Sequence, residues 1–425
     1  MQTVAGSGRL DSPLHAMTSI AELGEARVAD SSGLVVEGPI GGIAVRLDAP
    51  APSPGDDLPA KFKRSYAGSR VLITGGMGFI GGHVARRLVG LGAEVSVFDA
   101  DVSKDRLSIV NDPSEALRSR LSLVRGDIRF AADLQAVLAV PFDYVFHFAA
   151  YAVIECSTQH PVDTIETNAL GVVNLLEALR HAPWRPKSIT FASTDKVYGE
   201  MGTSSYSEES PLRGIGVYDA AKLAGDVFAR MYSEVFGLPT VVIRLCNVFG
   251  PHDHNVAFRL IPKALSRIYR GDDPEPPVLY YDSLNHWRDY IYVDDAVDAF
   301  LLVGSRNRCR GHVYNVAAAT HAPTAQILKD LVDCAAALEA SHDPKRRAAI
   351  ERNGIRIEMR NGVPGVVAID RQHLDGSKLR ALGFAPKTSF ADGLARTVAF
   401  YRSLYRPPPE RCADCIDDRE ALARA

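Results

Sequence analysis

Cysteine is scarce. Six residues in a chain of 425 are spread too thinly to staple a domain with disulfides. The single Cys-x-x-Cys, Cys412 and Cys415, stands in an Asp-, Glu- and Arg-rich stretch without a second pair at zinc-site spacing, so these thiols read as incidental. No window supplies the roughly 18 successive apolar residues that a bilayer-spanning helix needs. The start of the chain also lacks a basic region leading into an apolar signal segment. The expectation is a cytoplasmic protein with no membrane partner. An excess of one charge is missing too. Lys and Arg total 48 against 51 Asp and Glu, a formal charge of -3, which gives no reason to expect a nucleic-acid surface. No internal repeat is evident.

What is present is an ordinary globular composition, 46% hydrophobic, in a chain long enough to bury a large core. Residues 1–66 are rich in Gly, Ser, Pro and Asp and end near "DAPAPSPGDDLPA", which reads as an extended linker. The pieces "LVVEGPIGGIAV" within them read as a hairpin candidate. From "SRVLITGG" onward, short apolar strands alternate with helices of ten or more residues, and many strands are apolar on both faces. That pattern predicts an α/β fold, a Rossmann-like doubly wound parallel sheet covered by helices on both sides. After Gly250 the alternation weakens, and "GDDPEPPVLYYDSLNHWRDYIYVDDAVDAFLLV" reads as a smaller, interleaved C-terminal substrate-binding lobe. The expected division is an N-terminal extension and linker over 1–66 and a dinucleotide-binding core over 67–249. A first lobe segment covers 250–284, a return to the sheet domain 285–318, the rest of the lobe 319–404 and a tail 405–425.

"VLITGGMGFIGG" puts Gly75, Gly78 and Gly81 between a strand and a helix. The spacing differs from Gly-x-Gly-x-x-Gly, yet the task is the same: a tight turn, close approach of backbone to a pyrophosphate, and a helix N-terminus aimed at the phosphates. Asp99 ends the next strand. A carboxylate there accepts both adenosine ribose hydroxyls and repels a 2'-phosphate, so the expected cofactor is NAD rather than NADP. A flavodoxin-like or other nucleotide fold using the same turn is the alternative. Asp127 in "RGDI" closes a further strand and is a candidate adenine contact, or simply an acidic turn residue.

"VYDAAKLAG" supplies Tyr218 and Lys222, four positions apart and so on one helical face. An ammonium beside a phenol favours the phenolate, which can take a proton from a substrate hydroxyl as hydride leaves the carbon. Between the glycine turn and this pair stands "ASTDKVYG", with Thr194, Asp195 and Lys196 in succession.

Over residues 70 to about 402 the chain resembles the extended short-chain dehydrogenases that act on nucleotide sugars. The resemblance rests on "TGGMGFIGG", "HFAA", "ETNALGVVNLLEA", "ASTDKVYG", "YDAAK", "RLCNVFGP", "RDYIYVDD" and the late "LGFAPKTSFADGLARTVAFY". It implies that Phe79, Ile80, Ile128, Ala149 and Ala150 join Gly75, Gly78, Gly81, Asp99 and Asp127 around NAD. It also implies that Thr194 hydrogen-bonds the sugar O4, that Tyr218 is the base, and that Lys222 contacts the nicotinamide ribose as well. Ser157 fits a helix-start contact with substrate, Asn247 one with the nucleotide diphosphate, and Arg288 an ion pair with its phosphates, for which five guanidinium donors are well matched. An internal Arg–Asp pair within "RDY" is the plainer reading of Arg288. His252, Asp253 and His254 lack a third well-placed ligand, so no metal is expected.

Asp195 followed by Lys196 resembles the acid-lysine pair of CDP-glucose 4,6-dehydratases and of some dehydratases of UDP-N-acetylhexosamines. The implied route starts with removal of the C4 hydroxyl proton by Tyr218 and of hydride by NAD. The resulting ketone acidifies C5–H, which neutral Lys196 abstracts, while protonated Asp195 assists departure of the C6 hydroxyl. Hydride then returns to C6, giving a 4-keto-6-deoxy sugar. Both roles demand shifted protonation. The alternative keeps Asp195 and Lys196 as a salt bridge and leaves oxidation alone to Thr194, Tyr218 and Lys222. Two competing functions remain: a C4 epimerase, which needs no base at C5, and a non-catalytic NAD-sensing protein, which needs no hydroxyl-activating face. The expected partners are a nucleotide-diphosphate hexose and a second copy of the chain. The helices at "NALGVVNLLEALR" and "AAKLAGDVFARMYSEVF" resemble the family's dimer contacts.

Overall fold

The computed structural model describes residues 60–103, 108–111, 115–200, 202–317, 320–359 and 369–407. The anticipated hairpin and the Cys412–Cys415 pair lie outside them. The strands, in chain order, are β1 (Arg70–Thr74), β2 (Glu94–Asp99), β3 (Leu121–Arg125), β4 (Tyr144–His147), β5 (Ser188–Thr194) and β6 (Thr240–Leu245). They continue with β7 (Asn247–Phe249), β8 (Val278–Tyr280), β9 (Trp287–Tyr292), β10 (Val313–Val316), β11 (Thr320–Pro323) and β12 (Arg356–Glu358).

Seven strands form one parallel sheet in the order β10-β6-β5-β4-β1-β2-β3. Every residue of β4, β5, β6 and β10 is buried, whereas β3, at the edge, is half open. The period of two along each strand divides the core between the faces. Val71 and Ile73 pack on one side with Val241 and Ile243, while Leu72, Val145 and Ile189 pack on the other. Helices Phe79–Gly90 and Val293–Gly304 cover the first side, and Gly171–His181 covers the second. The chain order reverses between β1 and β4, and a doubly wound sheet opens its ligand crevice at the carboxyl ends beside such a reversal.

Regular structure is already present ahead of β1. Helix α1, Ala60–Tyr66, falls in the stretch expected to be linker. Phe62 and Tyr66 are buried in the main core, and the Tyr66 hydroxyl donates to the Leu301 carbonyl at 2.8 Å. Burial of Phe62 alone contributes about 1.5–3 kcal/mol, enough to hold a helix too short to persist by itself.

The segment expected to be a single helix over "VDTIETNALGVVNLLEALR" is interrupted. A wide π turn, Glu166–Leu170, separates Pro161–Ile165 from Gly171–His181. Such turns recur at functional sites because they re-aim a side chain. Here the side chain is buried Asn168, which accepts from the Tyr151 amide at 2.7 Å and donates to the Tyr151 carbonyl at 3.0 Å. It thereby fixes the loop that follows β4. Asn168→Ala should cost about 1–3 kcal/mol by leaving these two groups unpaired. Urea unfolding checks this as a lower midpoint at unchanged m.

The smaller lobe holds a three-stranded sheet, β11-β9-β7, and a two-stranded one, β12-β8. β9 lies in the stretch expected to return to the main sheet, yet it pairs with β7 and β11; β10 makes that return by pairing with β6. This interleaving brings β5, β7 and β9 to one cavity.

Candidate active site

At the end of β1 the chain turns through Gly75, whose φ is +73°. A Cβ there would lie 2.4 Å from the Ala149 amide nitrogen, and one on Gly81 would lie 2.6 Å from the Gly75 carbonyl oxygen. Both positions are therefore closed to a side chain, and the turn, which leads into helix α2, Phe79–Gly90, packs its Gly75 backbone against Ala149. Gly78 caps that helix without a side-chain hydrogen bond, which leaves its first N–H groups available to an anion. The Asp99 carboxylate accepts from the Met77 amide at 3.0 Å, so the acid sits over the same turn. These residues fit a dinucleotide. Two further cofactor candidates behave differently. Asp127 is paired with Arg129 at 2.7 Å; burial alone would raise its pKa, but the Arg129 hydrogen bonds and charge leave it lowered. Ile128 is a core residue packed on Gly171.

A cavity of about 380 Å³ lies beyond the turn, lined by Ile80, Thr194, Asp195, Lys196, Tyr218, Asn247 and Arg288 among others. Thr194 ends β5 and caps the short turn Asp195–Tyr198 by accepting from the Lys196 amide at 3.3 Å. Its hydroxyl donates to Asp195 Oδ1 at 3.1 Å. Lys196 turns away from this carboxylate, and its Nζ donates to Gln372 Oε1 at 3.1 Å. The expected alternative of an Asp195–Lys196 salt bridge is absent among the described residues. Burial raises the Asp195 pKa, with Lys196, Thr194 and Arg288 opposing and Asp289 reinforcing. Asp195 Oδ2 is buried without a hydrogen-bond partner, the state expected of an oxygen that keeps a proton to give away.

Tyr218 and Lys222 sit in the first turns of helix Val217–Phe236. Burial holds the phenol above its ordinary pKa; Arg259 lowers it, Asp219 and Asp195 raise it, and a Thr194 hydrogen bond lowers it. Lys222, one turn on from Tyr218, is anchored on the end of β5. Its Nζ donates to the Ala192 carbonyl at 2.6 Å and stands over the Phe191 ring at 4.5 Å. Burial brings its pKa down to about 8, against the pull of Asp226.

Asn247, on β7, donates to the Asp289 carbonyl at 3.1 Å and faces the cavity. Arg288 makes no pair with its neighbour in "RDY". Its guanidinium donates to the carbonyls of Trp287, Ile369 and Asp370 at 2.9, 2.7 and 3.2 Å, and burial lowers its pKa. Asp289 accepts instead from the Leu374 amide and meets His321 and His373 at 2.7 and 3.2 Å. These three side chains are the group with metal-ligand chemistry among the described residues, and their donor atoms already contact one another. His252 and His254 pack on the Phe400 ring. Ser157 does not reach the cavity: it is fully buried and its hydroxyl donates to the Val153 carbonyl at 2.7 Å.

The sequence profile of the family described as GDP-mannose 4,6 dehydratase matches residues 72–397. The chain belongs to this dehydratase family. A dTDP-glucose 4,6-dehydratase of Streptomyces niveus is 33% identical over 343 residues, 78% of this chain and 93% of that protein. The crystal structure of DesIV, a dTDP-glucose 4,6-dehydratase from Streptomyces venezuelae solved with NAD bound, is 31% identical with a TM-score of 0.66, covering 79% of this chain and 97% of the other. The UDP-glucose 4-epimerase of Thermus thermophilus, solved with NAD, also scores 0.66 at 28% identity, covering 78% and 99%. Fold alone thus fails to separate dehydration from epimerisation.

Within this dehydratase family member, sequence reasoning gave no role to Asp219 or Gln372, both of which interact with Lys196, and counted Arg259 only as one of three candidate sources of positive charge around the nucleotide. Asp219, beside the base in "YDAAK", is buried, and burial lifts its pKa to about 6, with Lys196 opposing and Asp195 reinforcing. Its place at the third position of a helix was the available signal. Arg259 lines the cavity and pairs with Asp253 at 3.1 Å, but no spacing set it apart from nearby Lys263 and Arg270. Gln372 comes from a stretch with no motif at all.

Proposed function

We propose that the chain is an NAD-dependent nucleotide-sugar 4,6-dehydratase that turns a nucleoside-diphosphate hexose into its 4-keto-6-deoxy derivative. The observation that carries this reading is the convergence of Thr194, Asp195, Lys196 and Tyr218 on one cavity, with an acid and an amine that do not neutralise each other. NAD, held by the turn of Gly75, Gly78 and Gly81 and by Asp99, would supply the hydride acceptor for C4 and the hydride donor for C6. Tyr218 removes the O4 proton, with Thr194 holding the same oxygen. Lys196, as the free amine, takes the C5 proton made acidic by the C4 ketone. Asp195 gives its proton to the C6 hydroxyl, which leaves as water. The C5 proton returns from Lys196 after hydride reaches C6. Thr194 touches both Tyr218 and Asp195, so the proton gathered from O4 has a path that restores the acid.

Asn247 and Arg288 hold the diphosphate in this reading. Arg288 would trade carbonyl partners for phosphate oxygens, a stronger charge-assisted match. The acid-lysine pair supports CDP-glucose as the substrate, while the two dehydratases named above are dTDP-glucose 4,6-dehydratases. An epimerase uses the same oxidation but has no work for Lys196. Incubation with NAD in heavy water, across CDP-, dTDP-, UDP- and GDP-hexoses, separates these outcomes by mass spectrometry and NMR. Loss of one water with deuterium at C5 is expected for one nucleotide. A mass-neutral C4 isomer without deuterium at C5 would overturn dehydration.

Two copies are proposed to pair through the helices Gly171–His181 and Val217–Phe236 and the segment before them. Val162, Leu170, Val235 and Phe236 are exposed there, an apolar set that a second copy would cover. Light scattering at twice the chain mass is the expected result.

A further inference from the structure

The proton acceptor assigned to C5 is held by a residue from the other lobe. Lys196 Nζ donates to Gln372 Oε1 at 3.1 Å, across a separation of 176 positions in the chain. Gln372 is fully buried, and its Nε2 has no hydrogen-bond partner. A buried amide donor left unpaired calls for a role.

The backbone around it is firmly placed. The Gln372 amide donates to the Trp287 carbonyl at 3.1 Å, and the Trp287 amide donates to the Asp370 carbonyl at 2.8 Å. The Leu374 amide donates to buried Asp289 Oδ2 at 2.8 Å, and His373 Nδ1 meets Oδ1 of the same carboxylate. The segment is thus stitched to β9, the strand that carries Arg288, and its side chain is aimed at Lys196 by backbone bonds.

We propose that Gln372 is a positioning residue for the C5 proton transfer, holding Lys196 Nζ at the cavity in both of its protonation states. This rests on the dehydratase reading above. A base must be held while charged and while neutral. The amide meets both needs: Oε1 accepts from the ammonium, and a half-turn of the amide lets Nε2 donate to the free amine. A carboxylate in the same place only accepts and would favour the ammonium. The charged groups that interact with Lys196 are Asp195 on its own turn and Asp219 from helix Val217–Phe236, and Arg288 from β9 acts on Asp195. Tyr218 and Arg288 line the same cavity. Gln372 adds a neutral partner beside these two carboxylates rather than a third.

The test compares the full-length wild type with Gln372→Leu and Gln372→Glu, using NAD and the nucleotide hexose that the wild type dehydrates. Gln372→Leu should lower kcat by about 10- to 100-fold, the scale of a misplaced reacting group, with KM little changed. NADH should accumulate on the enzyme, because C4 oxidation proceeds while C5 deprotonation lags. In Gln372→Glu the added charge favours protonated Lys196, so the acid limb of the kcat profile should move up by about one pH unit or more. That readout is unmoved by a merely structural role. Unchanged kcat in the leucine variant, or an acid limb in the glutamate variant that overlays the wild type, overturns the inference. Failure of the wild type to lose water overturns the dehydratase reading and this inference with it, a result distinct from a wild type that dehydrates and variants that match it.

Discussion

Tyr218→Phe is expected to stop the reaction at C4 oxidation, lowering kcat by about 10²–10⁴-fold, the usual contribution of a positioned proton acceptor. The phenol reaches the cavity beside Thr194, while the rest of its ring is packed into the first turns of its helix. Phenylalanine keeps that packing, so the thermal midpoint should stay within a few degrees. Burial raises the pKa of the phenol, and the base is its deprotonated form. Activity limited by this step therefore rises with pH. Single-turnover absorbance of NADH is the direct check. Its absence in the variant, with NAD still bound, places the loss at Tyr218. Normal NADH formation would remove Tyr218 from the mechanism.

Asp195→Asn should lower dehydration by a similar factor, about 10²–10⁴-fold, but at a later step. NADH should form and no water should be lost. Because Lys196 is untouched, C5 should still exchange, so recovered substrate should carry deuterium after the return of hydride to C4. That signature separates an acid at C6 from a base at C5. The pH dependence has a definite sign. Burial raises the Asp195 pKa, and the acid must be protonated, so activity falls as pH rises through the folded value. Stability follows the same direction. A carboxyl whose pKa is raised by folding binds its proton more tightly in the native state, so stability falls as pH climbs from the ordinary carboxylate range through the raised value. Asparagine removes that slope. Chemical unfolding at several pH values should show a flatter profile for the variant.

The sheet was legible because burial on both faces leaves strands such as "VLIT" and "SITFAST" apolar or small throughout, bounded by turns. The cofactor turn was legible because close backbone approach admits glycine alone. "ASTDKVYG" was legible because a strand end, a capping threonine and a short turn are local events. The misses have a shared physical cause. Gln372 acquires its meaning from β9, which fixes its backbone, and nothing in "DRQHLD" records that partner. Ser157 lies inside the helix Ile154–Gln159, and its hydroxyl bonds back to the Val153 carbonyl, a partner that the motif around it does not record. In α1 a seven-residue stretch holds only two large apolar side chains, too few for a period to show.

Helix α1 also bears on how the chain is made. Tyr66 meets Leu301 across 235 positions. At roughly 5–20 residues per second on a ribosome, α1 waits on the order of 10 to 50 seconds for the surface that covers it. During that interval β1 to β4 are outside while helix Val293–Gly304 is still unmade, and the face of the nascent sheet that this helix shares with helix Phe79–Gly90 stands half covered. Helix α1 is made ahead of β1 yet docks late, so its seating ties an early stretch of the chain to the completion of the sheet's helical cover.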